Sequence, residues 1–121
     1  MAYSEALAHR VRQLTSSELE LAELTMFGGL AYTLHGNMAL GVLNDDLIVR
    51  VPRDQTELYL NRPGARDFDF TGRPMRGFVV VESKAIGDDN TLRAWVEIGL
   101  STSRALPPRT EKPPRARVAR Q

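Results

Sequence analysis

Arg73 and Arg76 are the residues whose type and spacing come closest to chemistry, because they flank Pro74-Met75 within Gly72-Arg73-Pro74-Met75-Arg76-Gly77-Phe78. Two guanidinium groups beside a rigid turn can grip a carboxylate or a phosphate through paired N–H donors. The same residues can instead close the turn on backbone carbonyls, pair with Asp67 or Asp69, or stand solvated on a strand. Arg73 and Arg76 are therefore the ligand-binding candidates of the chain. Pro74 fixes the backbone of the turn between them.

A second cluster, Met26-Phe27-Gly28-Gly29, holds paired glycines that could let a backbone loop approach a phosphate. A phosphate cradle also needs a helix N-terminus immediately after it and usually a Lys or Ser/Thr partner. The glycines lead instead into Leu30-Ala31-Tyr32-Thr33-Leu34, with Leu30, Tyr32 and Leu34 alternating as in a strand. They then suit a bulge or close packing within a β segment, with Met26 and Phe27 as anchors on a sheet face.

The remaining candidates point away from catalysis. His9 and His35 have no second ligand at metal spacing, and no Gly-x-Ser-x-Gly elbow supports a Ser-His-Asp arrangement. Asp45-Asp46 and Asp88-Asp89 are adjacent pairs whose side chains point apart, so they read as turn and cap residues rather than as an acid and a base. Cysteine is absent, which excludes disulfides, thiolate metal sites and a cysteine nucleophile. The expectation is a non-enzymatic protein without cofactor or metal.

Charge is distributed unevenly. Residues 107–121 carry five basic side chains, Arg109, Lys112, Arg115, Arg117 and Arg120, against Glu111, whereas residues 1–106 carry 11 basic and 14 acidic ones. The tail has four prolines and few apolar residues, so it cannot offset the entropy lost on ordering and is expected to be disordered. It can touch nucleic acid only weakly and nonspecifically, or it serves as a solubilising end. No apolar run reaches the length of a membrane span and no signal segment opens the chain, so the expected setting is cytoplasmic, with no membrane contact.

The elements that must position these residues are set by periodicity. Leu7, Val11 and Leu14 mark an amphipathic helix from about Ser4 to Leu14, with Ser4 as its cap. Glu18 to Met26 fits a short helix, with Ser17 and Glu20 as a capping box, and a strand about equally well. Leu30–Leu34, Met38–Leu43 and Leu47–Val51 read as three antiparallel strands linked through His35-Gly36-Asn37 and Asn44-Asp45-Asp46. Asp54 would cap a short helix over Gln55–Asn61, broken at Pro63-Gly64. Phe68 and Phe70 alternate with Asp67 and Asp69 as a half-exposed strand, and Thr71-Gly72-Arg73-Pro74 turns the chain into a second strand, Met75 to Glu82. Asp88, Asp89 or Asn90 caps the last helix, which carries Leu92, Trp95, Val96 and Ile98. The class is α+β: an antiparallel sheet with helices on one face, in the order α-β-β-β-α-β-β-α, over residues 1–106.

Taken in order, Met26-Phe27-Gly28-Gly29, Gly36-Asn37-Met38, Asn44 to Val51, Phe70 to Phe78 and the Trp95 helix resemble the N-terminal domain of the TfoX/Sxy family of bacterial competence regulators. The resemblance runs from about Leu7 to Leu106, Thr25 departs from it where a basic residue is frequent, and it tips the end of the Glu18–Met26 segment toward a strand. It implies a fold similar to that of secretion chaperones, which often dimerise, and a family motif in Met26, Phe27, Gly28, Gly29, Gly72, Pro74, Met75 and Gly77 whose role is structural. Competence regulators of this family carry a second, C-terminal helical domain and act with a cyclic-AMP receptor protein. For this chain the resemblance implies a single-domain interaction module, a transcription-regulation accessory acting through protein contacts with transcription machinery or as a homodimer. The alternative expectation is a small-ligand or anion-binding domain using Arg73 and Arg76.

Overall fold

Ser4 opens the first helix, α1 (Glu5–Leu14), its hydroxyl accepting the Leu7 N–H at 3.1 Å, and Leu7, Ala8 and Val11 turn inward from it. This is a computed structural model, and it describes residues 3–26, 28–69 and 72–108. Six strands come after α1: β1 (Leu21–Met26), β2 (Gly29–Leu34), β3 (Asn37–Leu43), β4 (Asp46–Arg50), β5 (Ala65–Asp67) and β6 (Phe78–Val81). A 3-10 turn (Arg53–Gln55) and α2 (Thr56–Leu60) link β4 to β5, and α3 (Asp89–Arg104) ends the order. The class is α+β and helix-first, with every strand pairing antiparallel in the spatial order β1-β2-β3-β4-β6-β5.

Register sorts the sheet into two faces, because successive side chains of a strand point to opposite sides. Glu23, Tyr32, Leu40, Val49, Val79 and Asp67 stand across one row, and Thr25, Leu30, Val42, Leu47, Val81 and Ala65 across the next. The centre of these rows packs with Leu7, Val11, Ile86, Leu92, Trp95, Val96 and Leu100 into the main core. Gly99 lets α3 approach closely: a Cβ there would lie 2.5 Å from the Ala39 carbonyl oxygen and 2.7 Å from Leu40 Cδ2. The three helices thus share one face.

The opposite face carries the row Leu24, Ala31, Gly41, Ile48, Val80 and Arg66. Toward β6 it is closed by a smaller cluster of Ile48, Phe68, Phe78 and Val80 with Met38 and Leu43. Phe68 and Phe78 meet edge to face at 6.0 Å between centroids. Toward β1 the row runs into Leu24 and Met26, 41% and 43% exposed.

Several local expectations change. The ambiguous stretch before Phe27 supplies a sixth strand, because its pairing with β2 outweighs its helical spacing, so Ser17 and Glu20 cap nothing helical. Asp54 lies inside the 3-10 turn and does not cap α2, whose first residue, Thr56, instead donates its hydroxyl to the Arg53 carbonyl at 2.7 Å. The Phe68 strand stops at Asp67, and Phe68 itself is buried. β6 begins only at Phe78, since Gly77 has φ +92° and the Phe78 N–H bonds back to the Met75 carbonyl. Pro107 accepts a bond from Asn37 Nδ2 at 2.9 Å, while Phe27, Phe70 and tail residues 109–121 lie outside the described residues.

Candidate functional site

The arginine turn is built from Gly77 outward. Its N–H donates to the buried Thr56 hydroxyl at 2.9 Å, and its carbonyl accepts the Val51 N–H at 2.9 Å. Because Thr56 also bonds Arg53, these contacts lock the end of β4, the 3-10 turn and the approach to β6 together. Arg50, Arg53 and Arg76 thereby line one cleft of about 190 Å³, with Val51, Pro52, Gly77, Thr102 and Leu106. Arg76 pairs with Glu57 at 2.8 Å, and the Arg50 guanidinium lies 4.7 Å from the Phe78 ring centroid.

Arg73 stands apart from this group. It is exposed, is not among the residues lining the cleft, and makes no hydrogen bond or ion pair among the described residues. The pairing with Asp67 or Asp69 allowed by the sequence is not formed. Gly72 donates its N–H to the Asp69 carbonyl at 2.8 Å with φ +90°, and Met75 donates to the Phe68 carbonyl at 2.9 Å, so backbone bonds close the turn. The structure thus brings Arg76 together with Arg50 and Arg53, residues that sequence reasoning missed. Their signal was present, since Arg50-Val51-Pro52-Arg53 brackets the end of a predicted strand.

The double-glycine stretch sits at the β1–β2 hairpin. Gly28 has φ +82°, and a Cβ at Gly29 would collide with the Val42 carbonyl oxygen, so neither position accommodates another side chain without a backbone shift. Met26 ends β1 on the open face, beside Leu24.

A second cavity, also about 190 Å³, opens on the helix-free face between Leu43, Ile48, Phe68 and Val80, rimmed by Asn44, Asp46, Arg66 and Asp69. Arg66 donates to Asp46 at 2.9 Å across the rim, and the other Asp46 oxygen accepts the Ser83 N–H at 3.2 Å. An apolar floor under an ion-paired rim has room for one apolar group, with polar atoms at the rim to orient it.

On the helix-covered face the edge is held electrostatically. Arg12 donates to both Glu23 oxygens at 2.8 Å, and this bonding holds the Glu23 carboxyl below the usual carboxylate range. The adjacent Tyr32 hydroxyl is buried without a hydrogen bond among the described residues, and burial, then the Glu23 charge, raises its pKa well above the ordinary phenol value. His35 lies 2.7 Å from Glu20, and His9 is exposed on α1. Among the described residues no three His, Asp or Glu gather as a metal site would require, and no helix is long and apolar enough to cross a membrane.

Among the described residues, an antiparallel sheet with helices on one face, a second face without helices and an exposed edge strand defines a small α+β domain. The TfoX N-terminal domain family matches residues 14–103 of the 121, and the chain belongs to that family. No curated protein and no solved structure matches it.

Proposed function

We propose that this domain is a non-enzymatic interaction module that acts by protein contact in bacterial transcriptional regulation, within the cytoplasm. The observation that carries the reading is the cavity on the open sheet face, where Leu43, Ile48, Phe68 and Val80 form an apolar floor behind the Asp46–Arg66 pair. Membership of the TfoX N-terminal family supports the regulatory setting. A partner's apolar anchor in that cavity gains burial, while the rim fixes orientation.

The test is retention of transcription proteins from a bacterial lysate by the intact chain, by a form lacking residues 107–121, and by Leu43→Glu. The reading expects RNA polymerase subunits or transcription regulators on the first two and their loss from a folded Leu43→Glu protein. Equal retention by Leu43→Glu, or retention only while the basic tail is present, contradicts it.

A second reading, anion binding, is favoured by the convergence of Arg50, Arg53 and Arg76 around one cleft with Glu57 as the paired carboxylate. Arg73, the other sequence candidate, is its internal control. Inorganic phosphate or citrate should raise the melting temperature of the native protein and of Arg73→Ala, but not of Arg53→Ala or Arg76→Ala. A shift that survives both cleft substitutions rejects the cleft, and one lost only with Arg73→Ala moves the site to the turn.

A further inference from the structure

The two edges of the sheet are protected very differently. β5, at one end, has three residues, and two of them, Arg66 and Asp67, are charged. A short, charged strand discourages another strand from adding to it. At the other end β1 presents six residues, Leu21-Ala22-Glu23-Leu24-Thr25-Met26, with no proline, no lysine and no irregularity in its register with β2. Its outer N–H and C=O groups lie along an edge that no other strand among the described residues pairs with, and Ala22, Leu24 and Met26 are exposed on the face opposite the helices.

We propose that β1 pairs antiparallel with β1 of a second copy of this chain, about a two-fold axis through Leu24, joining two six-stranded sheets into one. A two-fold axis normal to the sheet keeps each face on its own side, so residues opposite one another must be an even number apart in sequence. Centring on Leu24 sets Leu24 against Leu24, Ala22 against the partner's Met26, and Glu23 against the partner's Thr25. Apolar side chains then meet on the open face, and a carboxylate meets a hydroxyl on the other. Centring one residue earlier would place the two Glu23 carboxylates directly opposite, which is repulsive. Glu23 is also held by Arg12 of its own chain at 2.8 Å, which neutralises the charge nearest the seam. The strand is therefore self-complementary in this register, which favours a second copy as its occupant. β1 lines no part of the open-face cavity, so this pairing stands separately from the proposed partner contact.

The absence of cysteine makes the test clean, since one substitution introduces one thiol. Leu24→Cys sets two thiols opposite each other, at a Cα separation of about 4.5–5.5 Å that a disulfide spans. Mild oxidation should convert the Leu24→Cys protein to covalent dimers, while Leu58→Cys, exposed on α2, stays monomeric. Mixed Ala22→Cys and Met26→Cys chains should cross-link to one another faster than either does to itself, which reads out the register. Light scattering should give a dimer for the unmodified protein and a folded monomer for Leu24→Lys. A monomeric unmodified protein, a dimer that survives Leu24→Lys, or equal cross-linking at positions 24 and 58 overturns the proposal. Loss of the dimer in a protein that still retains transcription proteins would leave the partner reading standing by itself.

Discussion

The two faces of this sheet are made of similar residues and have different fates. On one, Leu40, Val42, Val49 and Val79 disappear beneath the helices, and Gly99 brings α3 and β3 into near contact. On the other, Ile48 and Val80 are covered by Phe68, Phe78 and neighbouring side chains, and among the described residues the row ends at Leu24 and Met26 in the open. Apolar character alone does not separate core from contact surface. The difference lies in whether another element of the same chain arrives to cover the row.

That contrast breaks most easily on the helix face. Leu40→Ala should destabilise the protein by about 3 kcal/mol, because it removes a fully buried side chain whose surroundings cannot collapse around the cavity. Gly99→Ala should cost about 2 kcal/mol by forcing α3 off the Ala39 carbonyl, although it adds a single methyl group. Both values come from denaturant unfolding, and a loss below about 0.5 kcal/mol in both would show that the helix layer does not hold the fold. Thr56→Val should cost about 1–2 kcal/mol, since the Gly77 N–H loses its buried acceptor. It should also weaken any phosphate response at the arginine cleft, which that hydrogen bond helps to shape.

On the open edge, Leu24→Lys should change folding stability by no more than about 0.5 kcal/mol, the ordinary range for an exposed position, while removing association. The smallest effect concerns pH. Glu23 is held below its ordinary value of 4.5, so its contribution is fully present above that value and is lost as pH falls through the lower folded value. Glu23→Gln should therefore flatten the acid side of the stability profile below about pH 4.5, and an unchanged profile would show that the Arg12 contact contributes nothing at the edge.

Much of the fold was legible in the sequence because its signals are local. The Ser4 cap, the Leu7-Val11-Leu14 spacing, the His35-Gly36 turn and the capping of α3, which Asp88 performs out of Asp88, Asp89 and Asn90, each depend on a few neighbouring residues. The residues before Phe27 were ambiguous for a physical reason: their strand state is imposed by β2, which no local pattern encodes. The short strands near Asp67 and Phe78 were overextended because Phe68 and Gly77 serve tertiary needs, burial and a left-handed turn, that mimic strand alternation. Of the candidate site, Arg76 was singled out from the sequence and its companions were missed. Arg50 and Arg53 lie more than twenty residues earlier and reach the cleft through the pairing of β4 with β6 and the Thr56–Gly77 contact.

The most direct test of the division between a fold-holding face and a contact-making edge is to measure mass in solution and melting temperature together on Leu24→Lys. Leu24→Lys should be a monomer where the unmodified chain is a dimer, melting within a few degrees of it. A Leu24→Lys protein that remains dimeric, or that melts as early as Leu40→Ala, would contradict it.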